Sequence, residues 1–193
     1  MHKYILIISF LIIQPALADE KADRIAWIKN EYKTIRDNLN NYISESIDTD
    51  GDFSEGGVAG GYITKKGEVR LIEIEYYGEM GKGQYEFYYS NNEPFFILNI
   101  HHRYNTHFLM TEKEVEEWYK QDGVRQEVFD PKKTKIEEYR YYIYKNEIIK
   151  KILSKNVKSN NTYQAENALK YSIEMLKRLN KQIQPTPKSG AAD

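Results

Sequence analysis

The stretch "EVRLIEIEYYGEMGKGQYEFYYSNNEPFFILNIHHRY" (residues 68–104) decides the fold. Its opening alternates. Ile72, Ile74 and Tyr76 fall on one side of an extended chain, and Leu71, Glu73 and Glu75 on the other. A period of two is a strand signal. "GEMGKG" (residues 78–83) reads as a hairpin loop, "QYEFYYS" as the next strand, "NNEP" as a turn and "FFILNIHHRY" as a third strand. Connections this short join antiparallel neighbours, so the sheet is expected to be a meander.

The pattern extends in both directions. Upstream, "VAGGYIT" leads into a turn at Lys66-Gly67. Downstream, "EEYRYYIY", a turn at Lys145-Asn146 and "EIIKKIL" form a last hairpin. Helical spacing brackets the strands. Ile28, Tyr32, Ile35, Leu39, Tyr42 and Ile43 recur in steps of three and four, which predicts a helix over residues 20–46. Ala165, Ala168, Leu169, Leu176, Leu179 and Ile183 form a second stripe over residues 161–183. Residues 106–135 hold a short helix over 112–120, closed by Asp122-Gly123, and otherwise read as a lid or an unresolved hairpin. The expectation is one α+β domain over residues 19–183. An N-terminal helix precedes a meander of about five to seven strands, and a C-terminal helix packs back on the same face. The Pro/Ser/Gly-rich residues 184–193 read as a disordered tail.

The first eighteen residues, "MHKYILIISFLIIQPALA", have a basic start, a short apolar run, Pro15 and the ending Ala16-Leu17-Ala18. That is the pattern of a secretory signal peptide cut after Ala18. The apolar run is too short to span a bilayer, which takes about 20 residues, and no later stretch is apolar enough to span. The chain has no cysteine, so disulfides, thiol catalysis, Cys-ligated zinc and lipid attachment through a cysteine are excluded. The expected product is a soluble periplasmic or secreted protein, not a lipoprotein. Loss of Lys3 with the leader leaves 27 basic against 29 acidic residues, a net charge of −2. This balance argues against a nucleic-acid partner and against a polybasic membrane binder. The 17 tyrosines and 7 phenylalanines are expected to supply much of the core.

Three constellations bear on function. In "SIDTDGDFSEGG", Asp48, Asp50 and Asp52 alternate like the start of a calcium loop, with Glu55 beyond them. A calcium loop starting at Asp48 would need Gly at position 6 and Glu at position 12, where Phe53 and Ala59 stand. A weak calcium-binding module stays open as a reading, and a helix-to-strand connector is the plainer one. His101, His102 and His107 could contribute to a zinc site, but neighbouring strand residues point to opposite faces. The third is the sheet face away from the helices. It is expected to carry Glu73, Glu75, Glu86, Tyr88, His101, Arg103, Arg140 and Tyr142, which could grip a polar small molecule or a protein partner. Carboxylates beside a histidine could also do acid–base chemistry, so a hydrolase-like enzyme is the alternative. The plainer reading is a solvated face with cross-strand charge pairs. The chain has no G-x-S-x-G, P-loop or H-E-x-x-H motif.

"SEGGVAGGYITKKGEVRLIEIEYYGEMGKGQYEFYYSNNEPFFI" and "FDPKKTKIEEYRYYIYKNEIIKKI" together resemble a group of uncharacterised exported bacterial proteins. The shared features are a Glu-Gly-Gly before the first strand, Gly-Glu-x-Arg, Tyr-Gly-Glu-x-Gly and an aromatic hairpin. The resemblance covers about half of the chain beyond the leader. It implies that Glu55-Gly56-Gly57 belongs to the entrance of the sheet, and it brings no known activity, catalytic residue or ligand. Because no triad, metal set or phosphate loop appears in the sequence, the first functional expectation is a non-enzymatic exported binding or protein-interaction domain, using the exposed sheet face and residues 106–135.

Overall fold

The computed structural model describes residues 14–155, 157 and 162–183. In chain order the elements are α1 (Gln14–Asp37), β1 (Ile43–Ile47), β2 (Gly57–Ile63), β3 (Val69–Gly78), β4 (Gly81–Ser90), β5 (Glu93–Arg103), α2 (Glu112–Asp122), β6 (Lys135–Tyr144), β7 (Glu147–Leu153) and α3 (Thr162–Ile183). The seven strands pair antiparallel in chain order, as one meander sheet. Turn chemistry sets the register. Asn91 and Asn92 have φ of 54° and 61°, and Lys145 and Asn146 have 51° and 59°. Two successive residues at positive φ make the tight turn whose twist matches paired strands. "GEMGKG" is not a loop of six. β3 and β4 run through it, leaving only Glu79-Met80 to turn the chain. Gly83 belongs there because the Tyr76 ring lies where its Cβ would stand.

The first predicted helix is shorter than its periodicity. α1 ends at Asp37, a 3-10 turn occupies Leu39–Asn41, and residues 43–47 pair with β2 as the edge strand β1. Asn38 turns its amide onto the Thr34 carbonyl at 2.8 Å and accepts from Asn41 at 3.1 Å. Such side chains compete with the helical backbone and favour helix ends.

The two long helices cover opposite faces of the sheet, not the same one. Alternate residues of each strand feed two separate apolar clusters. Ile72, Ile74, Phe87, Tyr89, Ile97 and Tyr141 pack with Ala168, Met175, Leu176 and Leu179 of α3. Leu71, Tyr88, Phe96, Leu98 and Tyr142 pack with Ile28 and Ile35 of α1. The result is three layers: helix, sheet, helix. Polar contacts fix α3 in place. The Tyr89 hydroxyl donates to the Ser172 carbonyl at 2.7 Å, and the Gln182 amide donates to the Ser46 carbonyl at 2.8 Å. Gly61 lets α3 approach β2, since a Cβ there would overlap the Leu179 side chain.

Residues 1–13, most of the stretch read as a signal peptide, and residues 184–193, read as a disordered tail, lie outside the described residues. A cut after Ala18 would fall within α1. Arg24, Trp27, Ile28, Tyr32, Ile35 and Arg36, through which α1 meets the sheet, all lie beyond it. No described helix is long and apolar enough to cross a membrane.

Candidate functional site

The carboxylates expected on an open sheet face are instead roofed by a helix. Glu73 and Glu86 stand opposite each other in β3 and β4. Arg36, in the last turn of α1, donates to Glu73 at 2.6 Å and to Glu86 at 2.7 Å. The Tyr62 hydroxyl donates to the other Glu73 oxygen at 2.9 Å, and the Tyr88 hydroxyl donates to the other Glu86 oxygen. Glu86 is only 2% exposed. Burial raises its carboxyl above the ordinary range, opposed by the Tyr88 hydrogen bond and by Arg36. Burial alone would lower the Arg36 guanidinium, but Tyr88, Glu86 and Glu73 together raise it. Each acid is thus committed to holding α1 on the sheet. Glu75, one step nearer the β3–β4 turn, pairs with Lys82 at 3.0 Å and is partly open to solvent.

His101 and Arg103 are on the other face. β5 pairs Leu98, not His101, beside Glu86, so Leu98 and Arg140 continue the row of Glu73. The expected row of eight therefore divides. Glu73, Glu75, Glu86, Tyr88, Arg140 and Tyr142 share the α1 face. His101 lies toward α3, with its Nδ1 3.0 Å from the Tyr76 hydroxyl and its Nε2 3.4 Å from the Gln164 amide. Its pKa is lowered by burial and then by Arg103. Arg103 donates to Glu137 at 2.8 Å. The carboxylate–histidine set of the hydrolase-like reading is not assembled.

The aspartates of "SIDTDGDFSEGG" also separate. Asp48 accepts from the Asp50 backbone at 2.9 Å and so shapes the turn. Asp52 takes both terminal nitrogens of Arg178, at 2.6 and 3.0 Å, and the Tyr171 hydroxyl at 3.1 Å. It ties the connector to α3. Among the described residues no group of three or more His, Asp or Glu side chains is placed to hold a metal. The histidines do not converge either, since His107 sits beside Glu79 at the β3–β4 turn.

Residues 106–135 form a defined lobe at that end of the sheet. α2 starts in a reciprocal cap: the Thr111 hydroxyl accepts from the Glu114 backbone, and the Glu114 carboxylate accepts from the Thr111 backbone. It ends at Gly123, whose φ of 70° and bond to the Tyr119 carbonyl close the last turn. The lobe is tied down at its base. The Phe108 amide donates to the Glu79 carbonyl at 3.1 Å and the Tyr104 amide to Met80 at 3.0 Å. Asn105 holds the return strand, bonding the Val128 carbonyl, Glu127 and the Asp130 amide. The Phe129 amide reaches the Met110 carbonyl at 2.8 Å.

This frame holds up apolar side chains that the core does not take. Val115 is the one buried residue of α2, although its helical neighbours Trp118 and Tyr119 lie on the same stripe. Trp118 and Tyr119 are 48% and 50% exposed. Phe108, Leu109, Val124 and Val128 of the lobe are exposed too, as are Tyr77 and Met80 on the strand end and turn that carry it. Residues 106–135 are nearly balanced in charge, with seven carboxylates against six basic side chains, and Glu116, Glu117 and Glu127 pair with Arg125, Lys113 and Lys133. The sequence places the helix of this lobe correctly and hides its exposure, because Val115, Trp118 and Tyr119 have the spacing of an ordinary core-facing stripe. No family model matches the chain, and neither the curated proteins nor the solved structures contain a match to it.

Proposed function

We propose that the chain is an exported protein-interaction domain. The three-layer body is a rigid platform, and the α2 lobe is the surface that meets the partner. The supporting observation is the distribution of exposed apolar residues. Of twelve large apolar side chains exposed among the described residues, Tyr77, Met80, Phe108, Leu109, Trp118, Tyr119, Val124 and Val128 belong to the lobe or the hairpin that bears it. Single exposed apolar residues need no explanation, but a concentration at one end marks a contact surface. Trp and Tyr are also the residues that dominate interface energetics. These side chains select a partner that offers an apolar recess to receive them. Export rests on the leader pattern, and intact mass of the secreted chain should place its first residue at Asp19.

The interaction is tested by a photo-crosslinking amino acid at Trp118, with a control at exposed Lys181 on α3, in the cells that make the protein. The expected result is one discrete protein adduct from position 118 that is absent from position 181. It should weaken when Phe108 and Tyr119 are changed to Ser. A diffuse set of adducts, or the same adducts from both positions, overturns the proposal.

A further inference from the structure

α1 does not close completely over the sheet. Between its middle turns and strands β5 and β6 lies a cleft of about 260 Å³. Its floor is apolar: Ile28, Phe96, Leu98 and Tyr142 are each 9% exposed or less. Tyr32 forms a side wall, with its ring centroid 5.4 Å from that of Phe96, and Phe96 in turn meets Tyr142 edge-on at 5.2 Å. Two cations stand at the margin, Lys29 of α1 and Arg140 of β6. A third, Lys150, stands over the Tyr142 ring at 5.7 Å. Lys29 is exposed and has no ion-pair partner among the described residues. Arg140 gives its Nε to Glu138, the one carboxylate paired there, and its two terminal nitrogens make no hydrogen bond among the described residues.

We infer that this cleft binds a small aromatic carboxylate, independently of the α2 lobe at the end of the sheet. The ring enters among Tyr32, Phe96 and Tyr142, where edge-on contacts with aromatic walls are favourable. The carboxylate meets the free nitrogens of Arg140 and the Lys29 ammonium. Arg presents paired donors that match a carboxylate, and Lys adds a mobile charge. The lining carries two cations, Lys29 and Arg140, and no acidic residue, so charge complementarity selects an anion over a neutral or basic molecule. The volume lies just below the range of ligand sites for drug-sized molecules, roughly 300–1,000 Å³. That restricts the ligand to about one ring with a short acid side chain.

The test is a titration of the full chain with 3-phenylpropionate, followed by NMR on the Ile, Leu, Phe and Tyr side chains. The neutral 3-phenylpropanamide and the aliphatic octanoate serve as comparisons. Saturable shifts are expected at Ile28, Leu98, Phe96 and Tyr142, with the amide at least tenfold weaker. The Lys29→Gln, Arg140→Gln double variant should bind the acid at least tenfold more weakly while keeping the spectrum of a folded chain. Absence of saturation at millimolar acid, or equal binding of acid and amide, overturns the inference. So does tighter binding of octanoate than of 3-phenylpropionate. Should the double variant lose its fold, Lys29→Gln alone, at an exposed position, should still weaken the acid and leave the amide unchanged. Equal affinity of that variant and the parent for the acid would likewise overturn it.

Discussion

At the scale of single residues, Glu86 makes a signed prediction about pH. Its carboxyl is raised by burial, with Tyr88 and Arg36 opposing. The folded chain therefore holds this proton more tightly than the unfolded chain, whose value is about 4.3. The stability it contributes is fully present below that value and is lost as pH rises through the folded one. Glu86→Gln keeps the shape and removes the titration. The melting temperature of the variant minus that of the parent should therefore increase as pH rises from 4 to 7. A decreasing difference would mean that the Arg36 attraction outweighs the burial. Asn99 makes a second prediction. It is fully buried between Tyr85 and Tyr139 of the neighbouring strands; the Tyr85 hydroxyl approaches its side chain, but neither its Oδ1 nor its Nδ2 makes a well-formed hydrogen bond among the described residues. A buried polar group without a partner costs about 1–3 kcal/mol. Asn99→Leu should raise the stability measured by urea denaturation by about 1 kcal/mol, and a lowered midpoint would show that the amide is satisfied in solution.

At the scale of elements, the strands were legible where one face is apolar and the other polar, as in β3. In β5 the strand is legible but its facing is not, because "FFILNI" is apolar on both faces where a helix lies on each side. Alternation then carries no phase, and a register shift between Tyr88 and Tyr89 in the partner strand moves the pairing again. That is why His101 and Arg103 were expected beside Glu86 and lie opposite it. β1 was missed for a related reason: Tyr42 and Ile43 continue the helical spacing, and only the asparagines before them mark the stop. The connector before β2 behaves as a tether. Arg178 grips Asp52 with two donors and is about one-third exposed, so Arg178→Ala should lower stability by about 1–2 kcal/mol, as loss of a charge-assisted pair with partial screening. Millimolar calcium should leave the melting temperature of the parent unchanged, because Asp52 is already occupied. A calcium-dependent rise would restore the metal reading. The contact of α3 with β2 is tighter still. Gly61→Ala drives a methyl into Leu179 and should cost about 1–3 kcal/mol by overpacking, with part of the loss recovered by Leu179→Val.

The three-layer arrangement makes a prediction for the whole molecule. The α1-side and α3-side clusters share no buried residue, although they are built from alternate positions of the same strands. Ile35 is fully buried under α1, and Leu179 is fully buried under α3. Ile35→Val removes one methyl and should cost about 0.5–1.5 kcal/mol, and Leu179→Ala should cost about 2–5 kcal/mol. With the sheet between them they share no cavity, so the double variant should show the sum to within about 0.5 kcal/mol. A pair within one layer should not. Ile35 and Tyr88 both belong to the α1 side, so Ile35→Val and Tyr88→Phe should couple through their shared surroundings. Urea denaturation of the four single and double variants against the parent measures both cycles. Strong coupling between Ile35 and Leu179 would mean that the two helices rest on one core, which is the arrangement that segregation of helices and strands along the chain alone would lead one to expect. Additivity across the sheet also has a functional consequence. The α1 face, with its cleft, can then be altered without loosening α3, and the two helix layers can be varied one at a time while the α2 lobe stays anchored through Tyr104, Asn105 and Phe108.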